Sequence, residues 1–118
     1  ILVETEDPVV MVSCLRVMAD LHDPWCLGLS LPYLHHEDWT VRQAAVTALG
    51  KVAQAPQIPV LLACLNDVSV WVAEAALEAL WQIPGLRREK LKALAQQHGD
   101  AQVRERVTQF LGGKFSDV

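Results

Sequence analysis

Apolar and polar residues along the chain recur with a period of 31 positions. When the sequence is compared with itself at this offset, the same residue classes align in four successive segments without gaps. The aligned positions are Asp7/Asp38/Ser69/Asp100, Val10/Val41/Val72/Val103, Cys14/Ala45/Ala76/Val107, Val17/Ala48/Ala79/Phe110 and Met18/Leu49/Leu80/Leu111. Agreement of five positions in one register predicts a repeat protein.

Each segment predicts a helix that begins after its Asp or Ser residue. These residues are preferred helix N-caps, because their side-chain oxygens accept hydrogen bonds from the first backbone N–H groups. In the second segment, apolar residues from Val41 to Val52 then follow the i, i+4, i+7, i+8, i+11 spacing of one helix face. Gly112 and Gly113 suit the C-terminal end of the last such helix.

A shorter, leucine-containing helix is predicted ahead of three of these N-caps, over Leu27–His36, Ile58–Asn66 and Arg87–Gln97. A proline precedes each of them, where it starts a helix more readily than it continues one. In the same register, residues 1–5 form the end of a helix whose start is missing. We therefore expect the chain to be part of a longer solenoid.

The predicted fold is all-α: a solenoid of about three and a half antiparallel helix pairs, in one domain that spans residues 1–118. A single pair has too little core of its own and must bury one face against its neighbours. The units are expected at approximately 1–23, 24–54, 55–83 and 84–118.

The second segment is close to a known repeat pattern. Residues 34–50 read Leu-His-His-Glu-Asp-Trp-Thr-Val-Arg-Gln-Ala-Ala-Val-Thr-Ala-Leu-Gly, and residues 100–104 read Asp-Ala-Gln-Val-Arg. They resemble HEAT-like repeats of the phycobilisome-lyase type, although the third segment has Ala73 where the pattern has Arg and Trp81 where it has Gly. The resemblance implies an α-solenoid. Such repeats build scaffolds, adaptors, a few enzymes and some DNA-binding proteins, so the resemblance implies no single function.

The composition excludes several classes of protein. Hydrophobic residues make up 52% of the chain and charged residues 20%, which argues against disorder. The net charge of −4 lacks the basic excess with which non-specific nucleic-acid binders neutralise phosphates. Three cysteines without Cys-x-x-Cys spacing favour a reducing compartment. We therefore expect a cytoplasmic protein, and no apolar stretch reaches the roughly 18 residues that would suggest a membrane span.

No motif in the sequence predicts catalysis, a cofactor or a metal site. The most prominent polar cluster is His35, His36 and Glu37. Successive helical residues point about 100° apart and rarely ligate one ion, so a polar helix end is the better interpretation. Cys14 occupies a small-residue core position, where a free thiol behaves as a small hydrophobe. Nucleophile elbows and glycine-rich phosphate loops are missing from the sequence.

A largely polar stripe remains on the second helix of each unit once the core positions are removed. It comprises three repeat positions, at offsets i, i+3 and i+7, which share one helix face. Helices that pack about 8–10 Å apart join these stripes into one surface, here called the ribbon. Its positions are Val9/Thr40/Trp71/Gln102, Val12/Gln43/Glu74/Glu105 and Arg16/Thr47/Glu78/Gln109.

The ribbon is the candidate binding site for a protein partner, because solenoids use such surfaces for recognition. Trp71 shares a repeat position with Thr and Gln, so we expect it to be partly exposed, and exposed Trp is enriched at interface hot spots. Together with Glu74 and Glu78 it suits a basic helix or extended peptide. The candidate partner-binding residues are Trp71, Glu74, Glu78, Gln43, Thr47, Arg16, Trp39 and Trp81.

Three functions compete at this point. The favoured one is a non-catalytic interaction scaffold or adaptor. The alternative, implied by the resemblance, is a component of a bilin-lyase-like or other HEAT-repeat enzyme, which would need a pocket for an open-chain tetrapyrrole. Nucleic-acid binding is less favoured, because the ribbon carries Glu74, Glu78 and Glu105 against Arg16. A basic run over Arg87–Lys92 is a second surface, suited to an acidic partner.

Overall fold

The computed structural model describes residues 7–21 and 25–115, and every regular element in those residues is helical. One 3-10 turn, Leu31–His35, extends the second helix, and another, Ala55–Gln57, precedes the fourth. The α-helices are α1 (Pro8–Leu21), α2 (Trp25–Ser30), α3 (Trp39–Val52), α4 (Ile58–Cys64), α5 (Val70–Gln82), α6 (Arg88–Gln96) and α7 (Ala101–Phe115).

The helices pair and stack in chain order. The shorter helices α2, α4 and α6 pack against α3, α5 and α7, and the longer helices pack in the sequence α1, α3, α5, α7. This arrangement confirms the predicted α-solenoid of helix pairs. The predicted helix end at residues 1–5 lies outside the described residues. Helices α4 and α6 agree with their predicted bounds to within two residues, and α2 does so only together with the 3-10 turn that extends it to His35.

The N-cap predictions hold at three of the four positions. Oδ1 atoms of Asp7, Asp38 and Asp100 each accept a hydrogen bond from the backbone N–H two residues later, at 2.8–3.0 Å. Ser69 occupies the N-cap position of α5, but its side chain makes no capping hydrogen bond. Instead, Oδ1 of Asp67 accepts the N–H of Ser69 at 2.8 Å, so a carboxylate outside the helix orders this turn.

The core follows the predicted repeat positions in the second to fourth units but not in the first. Val41, Val72 and Val103 are at most 1% exposed. Their counterpart in α1, Val10, is 43% exposed, and Val17 is 61% exposed. The prediction that these two valines are core residues is therefore wrong. Helix α1 instead turns its Met11, Leu15 and Ala19 inward, because α3 is its main neighbour among the described residues.

Gly50 has a packing role in α3, whereas the glycines of α7 do not terminate that helix. A Cβ atom added at Gly50 would lie 2.6 Å from Cβ of Ala79, so the missing side chain lets α3 and α5 approach each other closely. The predicted helix end at Gly112 and Gly113 is wrong, because α7 continues to Phe115. Glycine disfavours a helix interior by only about 1 kcal/mol, which does not forbid helical backbone.

Candidate partner-binding surface

The ribbon forms a set of grooves between successive long helices. The first groove, between α1 and α3, has a volume of about 640 Å³, the second, between α3 and α5, about 370 Å³, and the third, between α5 and α7, about 320 Å³. The first two arise because the i, i+3, i+7 stripe of one helix stands beside the stripe of the next. The third includes only two ribbon residues, Glu74 and Gln109, among its lining. The second groove is lined by Gln43, Thr47, Gly50, Lys51, Trp71, Glu74, Ala75, Glu78, Ala79 and Gln82.

Helix α3 forms the ridge between the first two grooves. Gln43, Thr47 and Lys51 line both of them. The first groove is also lined by Trp39 of α3 and, on its opposite wall, by Arg16 of α1. Seven of the eight residues proposed from the sequence therefore line these two neighbouring grooves. Lys51 was not among the proposed residues, although it lies four positions after Thr47 on the same helix face.

Two tryptophans stand at the N-terminal edge of this surface. Trp39 is the first residue of α3 and is 41% exposed, and Trp71 is the second residue of α5 and is 55% exposed. Trp39 lines the first groove and Trp71 lines the second. Each groove therefore carries one large, half-exposed aromatic side chain at the same end, and the expected exposure of Trp71 is confirmed.

Trp81 lies away from the first two grooves. It is half-buried against the core, and its ring meets the ring of Phe110 edge-on, with centroids 6.0 Å apart and planes at 71°. The repeat position of Trp81 holds Gly50 in the second unit, where the helices approach too closely for a side chain. Trp81 therefore links α5 to α7 within the stack and lines neither of the first two grooves.

The charge of the surface changes from one groove to the next. The charged residues that line the first groove are Arg16, Asp20 and Lys51, and those of the second are Lys51, Glu74 and Glu78. The first groove therefore has a formal excess of one positive charge and the second of one negative charge. In the first two grooves, the acidic residues expected from the ribbon are therefore the two that α5 contributes, Glu74 and Glu78.

An arginine fixes the angle between the units that form the second groove. In an ion pair between α3 and the loop that precedes α5, Nε and Nη2 of Arg42 donate to the two carboxylate oxygens of Asp67, at 2.9 and 3.1 Å. Nη1 of Arg42 also donates to the carbonyl oxygens of His36 and Glu37, at 2.7 and 3.1 Å. Both charged side chains are only 13% exposed. A planar, bidentate pair of this kind restricts orientation as well as distance.

The same loop is held from the other side by the fourth unit. Nη1 of Arg106, on α7, donates to the carbonyl oxygens of Leu65 and Asp67, the latter at 3.0 Å. The loop after α4 therefore receives hydrogen bonds from the helices on both sides of it. The repeat pattern of the sequence did not indicate this arrangement, because the position of Arg106 holds alanine in the two preceding units.

Two histidines order the loops ahead of α3 and α7. Nδ1 of His36 accepts the N–H of Asp38 at 3.0 Å, and Nδ1 of His98 accepts the N–H of Asp100 at 3.1 Å. Asp67 holds the equivalent position and makes the equivalent bond in the third unit. In the described part of the chain, no three His, Cys, Asp or Glu residues are grouped closely enough to hold a metal ion.

The described cysteines differ from activated thiols in their surroundings. Cys14 and Cys64 are both half-buried and pack against the core. Burial, with a smaller contribution from the nearby charge of Asp67, raises the pKa of the Cys64 thiol to about 11. Nucleophilic cysteines require the thiolate, and a raised pKa disfavours it at neutral pH.

Within residues 7–21 and 25–115, no helix is both long and apolar enough to cross a membrane.

Comparison with known proteins places these features in a family. Residues 1–81 match the family described as HEAT repeats. The chain is also 35% identical, over 66 residues, to the "Uncharacterized phycocyanin operon protein Z" of Pseudanabaena tenuis (strain PCC 7409). That alignment covers 56% of this chain and 33% of the relative, so the chain spans about a third of the relative's length. The match to the repeat family covers more than half of the sequence and agrees with the stacked helix pairs, and the chain therefore belongs to the HEAT repeat family.

Proposed function

We propose that the protein is a non-catalytic interaction module, a scaffold or adaptor, whose ribbon binds a basic helical or extended segment of a partner protein. The observation that carries this proposal is the second groove, in which the half-exposed Trp71 stands beside Glu74 and Glu78. An exposed aromatic ring supplies apolar contact area at low entropic cost, and Trp is the residue most enriched at binding hot spots. The neighbouring carboxylates attract and orient cationic side chains.

The rigidity of the groove supports the same proposal. The helices that form its walls are linked through the loop in which Asp67 pairs with Arg42. A surface that is already ordered before binding loses less conformational entropy when a partner docks. The lining of the groove combines polar residues with a single large aromatic side chain. This composition is more typical of a recognition surface than of a protein core.

The test uses a partner captured with the purified protein, followed by binding measurements with variants. Truncating a hot-spot tryptophan costs 2 kcal/mol or more, so Trp71→Ala should weaken the complex about 30-fold or more. The control is Val68→Ala, which removes a side chain that is 95% exposed and lines none of the three grooves. Circular dichroism should give the same helix content for both variants.

Charge reversal provides the second arm. Glu74→Lys combined with Glu78→Lys should weaken binding mainly through a slower association rate, and the effect should shrink at high salt. The control reverses two exposed glutamates away from the ribbon, Glu37 and Glu89, and so makes the same change in net charge. If Trp71→Ala and the Glu74/Glu78 reversal bind like the parent, the ribbon is not the site, and the basic run over Arg87–Lys92 becomes the next surface to test.

A second candidate function rests on the similarity to phycocyanin operon protein Z. In this alternative, the chain is a component of a bilin-lyase-like enzyme and holds an open-chain tetrapyrrole. The first groove, at about 640 Å³, has the volume of a small-molecule site, for which 300–1,000 Å³ is typical. Titration with a free bilin distinguishes the candidates. A saturable, stoichiometric change in the bilin absorbance supports this function, and an unchanged spectrum rejects it.

A further inference from the structure

The charged residues that line the first two grooves are sorted along the solenoid axis. Arg16 and Lys51 outnumber Asp20 in the first groove, whereas Glu74 and Glu78 outnumber Lys51 in the second. On α7, Glu105 occupies the repeat position of Glu74, whereas the third groove itself is formally neutral, with Glu74 and Arg106 as its charged lining residues. A partner that crosses the α3 ridge therefore meets a positive surface on one side and a negative surface on the other. A uniformly basic segment would place cations against Arg16 and Lys51, and like charges that face each other reduce affinity.

The tryptophans give the same surface two apolar contact points. Trp39 and Trp71 stand at the same edge of neighbouring helices, one in each groove. Packed helices are about 8–10 Å apart, which is the length of about seven residues in a helix. Apolar side chains at i and i+7 of a helical segment share one face and would therefore reach both tryptophans.

We propose that the partner segment is divided by charge: its acidic half lies in the first groove, its basic half lies in the second, and one apolar anchor contacts each tryptophan. This inference rests on the proposed function and specifies the class of partner that the ribbon accepts. The acidic half pairs with Arg16 and Lys51, and the basic half pairs with Glu74 and Glu78. The ribbon thereby selects against segments that carry one sign of charge throughout.

The test compares three synthetic helical peptides of equal length, each with leucine anchors at i and i+7. One carries a glutamate half and a lysine half, the second carries lysine throughout, and the third carries glutamate throughout. Binding is measured by tryptophan fluorescence and by calorimetry. Exposed ion pairs contribute about 0.2–1 kcal/mol each, so replacing two unfavourable pairings by two favourable ones should make the divided peptide about fourfold or more tighter than the lysine peptide.

Two variants locate the halves. Arg16→Glu should weaken binding of the divided peptide and strengthen binding of the lysine peptide, because it makes both grooves acidic. Glu74→Lys should weaken binding of both peptides. Both residues are exposed, so the substitutions leave the core unchanged. Gln96→Glu combined with Gln97→Glu, at exposed positions outside both the ribbon and the basic run, makes the same change in net charge as Arg16→Glu and should alter neither affinity.

The outcomes separate this inference from the proposed function. One outcome is that the lysine peptide binds as tightly as the divided peptide and that Arg16→Glu strengthens the binding of neither peptide. The ribbon then binds a basic segment without requiring an acidic half, and only this inference is overturned. If none of the peptides binds, both proposals are overturned. If the divided peptide binds equally well to the parent and to Glu74→Lys, the peptide binds elsewhere, and this inference is overturned.

Discussion

Helices α1 and α3 occupy the same place in successive repeat units and carry apolar residues at the same positions, yet they bury different faces. In α3, Val41 and Ala48 are fully buried. In α1, the equivalent Val10 and Val17 are exposed, whereas Leu15 is fully buried. Helix α3 packs against α1, α2 and α5, whereas α1 packs mainly against α3 among the described elements. The comparison teaches that a solenoid position becomes core only when a neighbouring helix covers it.

The arginines that follow the repeat valines show the same contrast. Arg42 pairs with Asp67 of the next unit and also binds two loop carbonyls. Arg104, at the equivalent position of the last unit, donates to the carbonyl of His98 at 2.6 Å within its own unit. The central arginine therefore joins two units, whereas the terminal one orders a single loop. We therefore expect a substitution at a central position to lower the free energy of unfolding more than the equivalent substitution at a terminal position.

The largest expected effect comes from the core position that α3 shares with its neighbours. Leu49→Ala should lower the free energy of unfolding by about 2–5 kcal/mol, because Leu49 is fully buried and its truncation leaves a cavity. Val17→Ala in α1, where the side chain is 61% exposed, should change it by less than about 0.5 kcal/mol. Urea denaturation followed by circular dichroism measures both. Similar losses in the two variants would contradict the difference in burial between α1 and α3.

The next effect concerns the arginines. Arg42→Ala should cost about 2–3 kcal/mol, because it leaves the carboxylate of Asp67 and two carbonyls without their charged donor. Arg104→Ala removes one hydrogen bond to a carbonyl and should cost about 1 kcal/mol. Arg42→Lys should restore only part of the loss, because lysine lacks the planar fork that pairs with both carboxylate oxygens. Equal losses for Arg42→Ala and Arg104→Ala would show that the contact between units contributes no extra stability.

Two glycines at the same repeat position should respond with opposite signs. Gly50→Ala would place a Cβ atom 2.6 Å from Cβ of Ala79, and overpacking of this kind typically costs about 1–3 kcal/mol. Gly112→Ala meets no atom within 4 Å and should stabilise the protein by up to about 1 kcal/mol through helix propensity. Thermal melts of the two variants should move in opposite directions. A higher melting temperature for Gly50→Ala would rule out the close approach of α3 and α5.

The smallest effect compares the N-termini of α3 and α5. Asp38→Ala should lower the denaturation midpoint slightly at pH 7, because it removes a hydrogen-bonded cap, whereas Ser69→Ala should leave it unchanged. Hydrogen bonds from the hydroxyl and the backbone N–H of Thr40 lower the pKa of the Asp38 carboxyl. A lowered folded-state pKa means that this stabilisation is present above the unfolded pKa and is lost as pH falls through the folded pKa.

Acid melts provide the check on this last prediction. The difference between the parent and Asp38→Ala should shrink as the solution is acidified below about pH 4, the usual range of an aspartate. A difference that stays constant with pH would show that Asp38 does not act through its charged carboxylate. Destabilisation by Ser69→Ala would show that the serine hydroxyl caps α5 after all.

Much of the candidate surface can be predicted from the sequence, because it depends on local rules of helix structure. The 31-residue period, the caps at Asp38 and Asp100 and the shared face of Trp71, Glu74 and Glu78 depend only on helix geometry and on the alignment of one repeat with the next. The exposure of Trp39 and the position of Trp81 outside the first two grooves do not follow from these rules. They depend on which helices stand beside them, and Trp81 meets Phe110, which lies 29 positions later in the chain.

The sequence by itself determined the helix pairs, their period and the outward face of the central long helices, because hydrogen bonds and side-chain periodicity within a helix are local. Only the tertiary structure decided which of those faces are covered, how closely α3 approaches α5, and how the charges divide between the grooves. Those properties arise between residues far apart in the chain, such as Arg42 and Asp67, which are 25 positions apart. A repeat pattern gives each unit the same apolar positions, but the number and identity of its neighbours set what those positions contact.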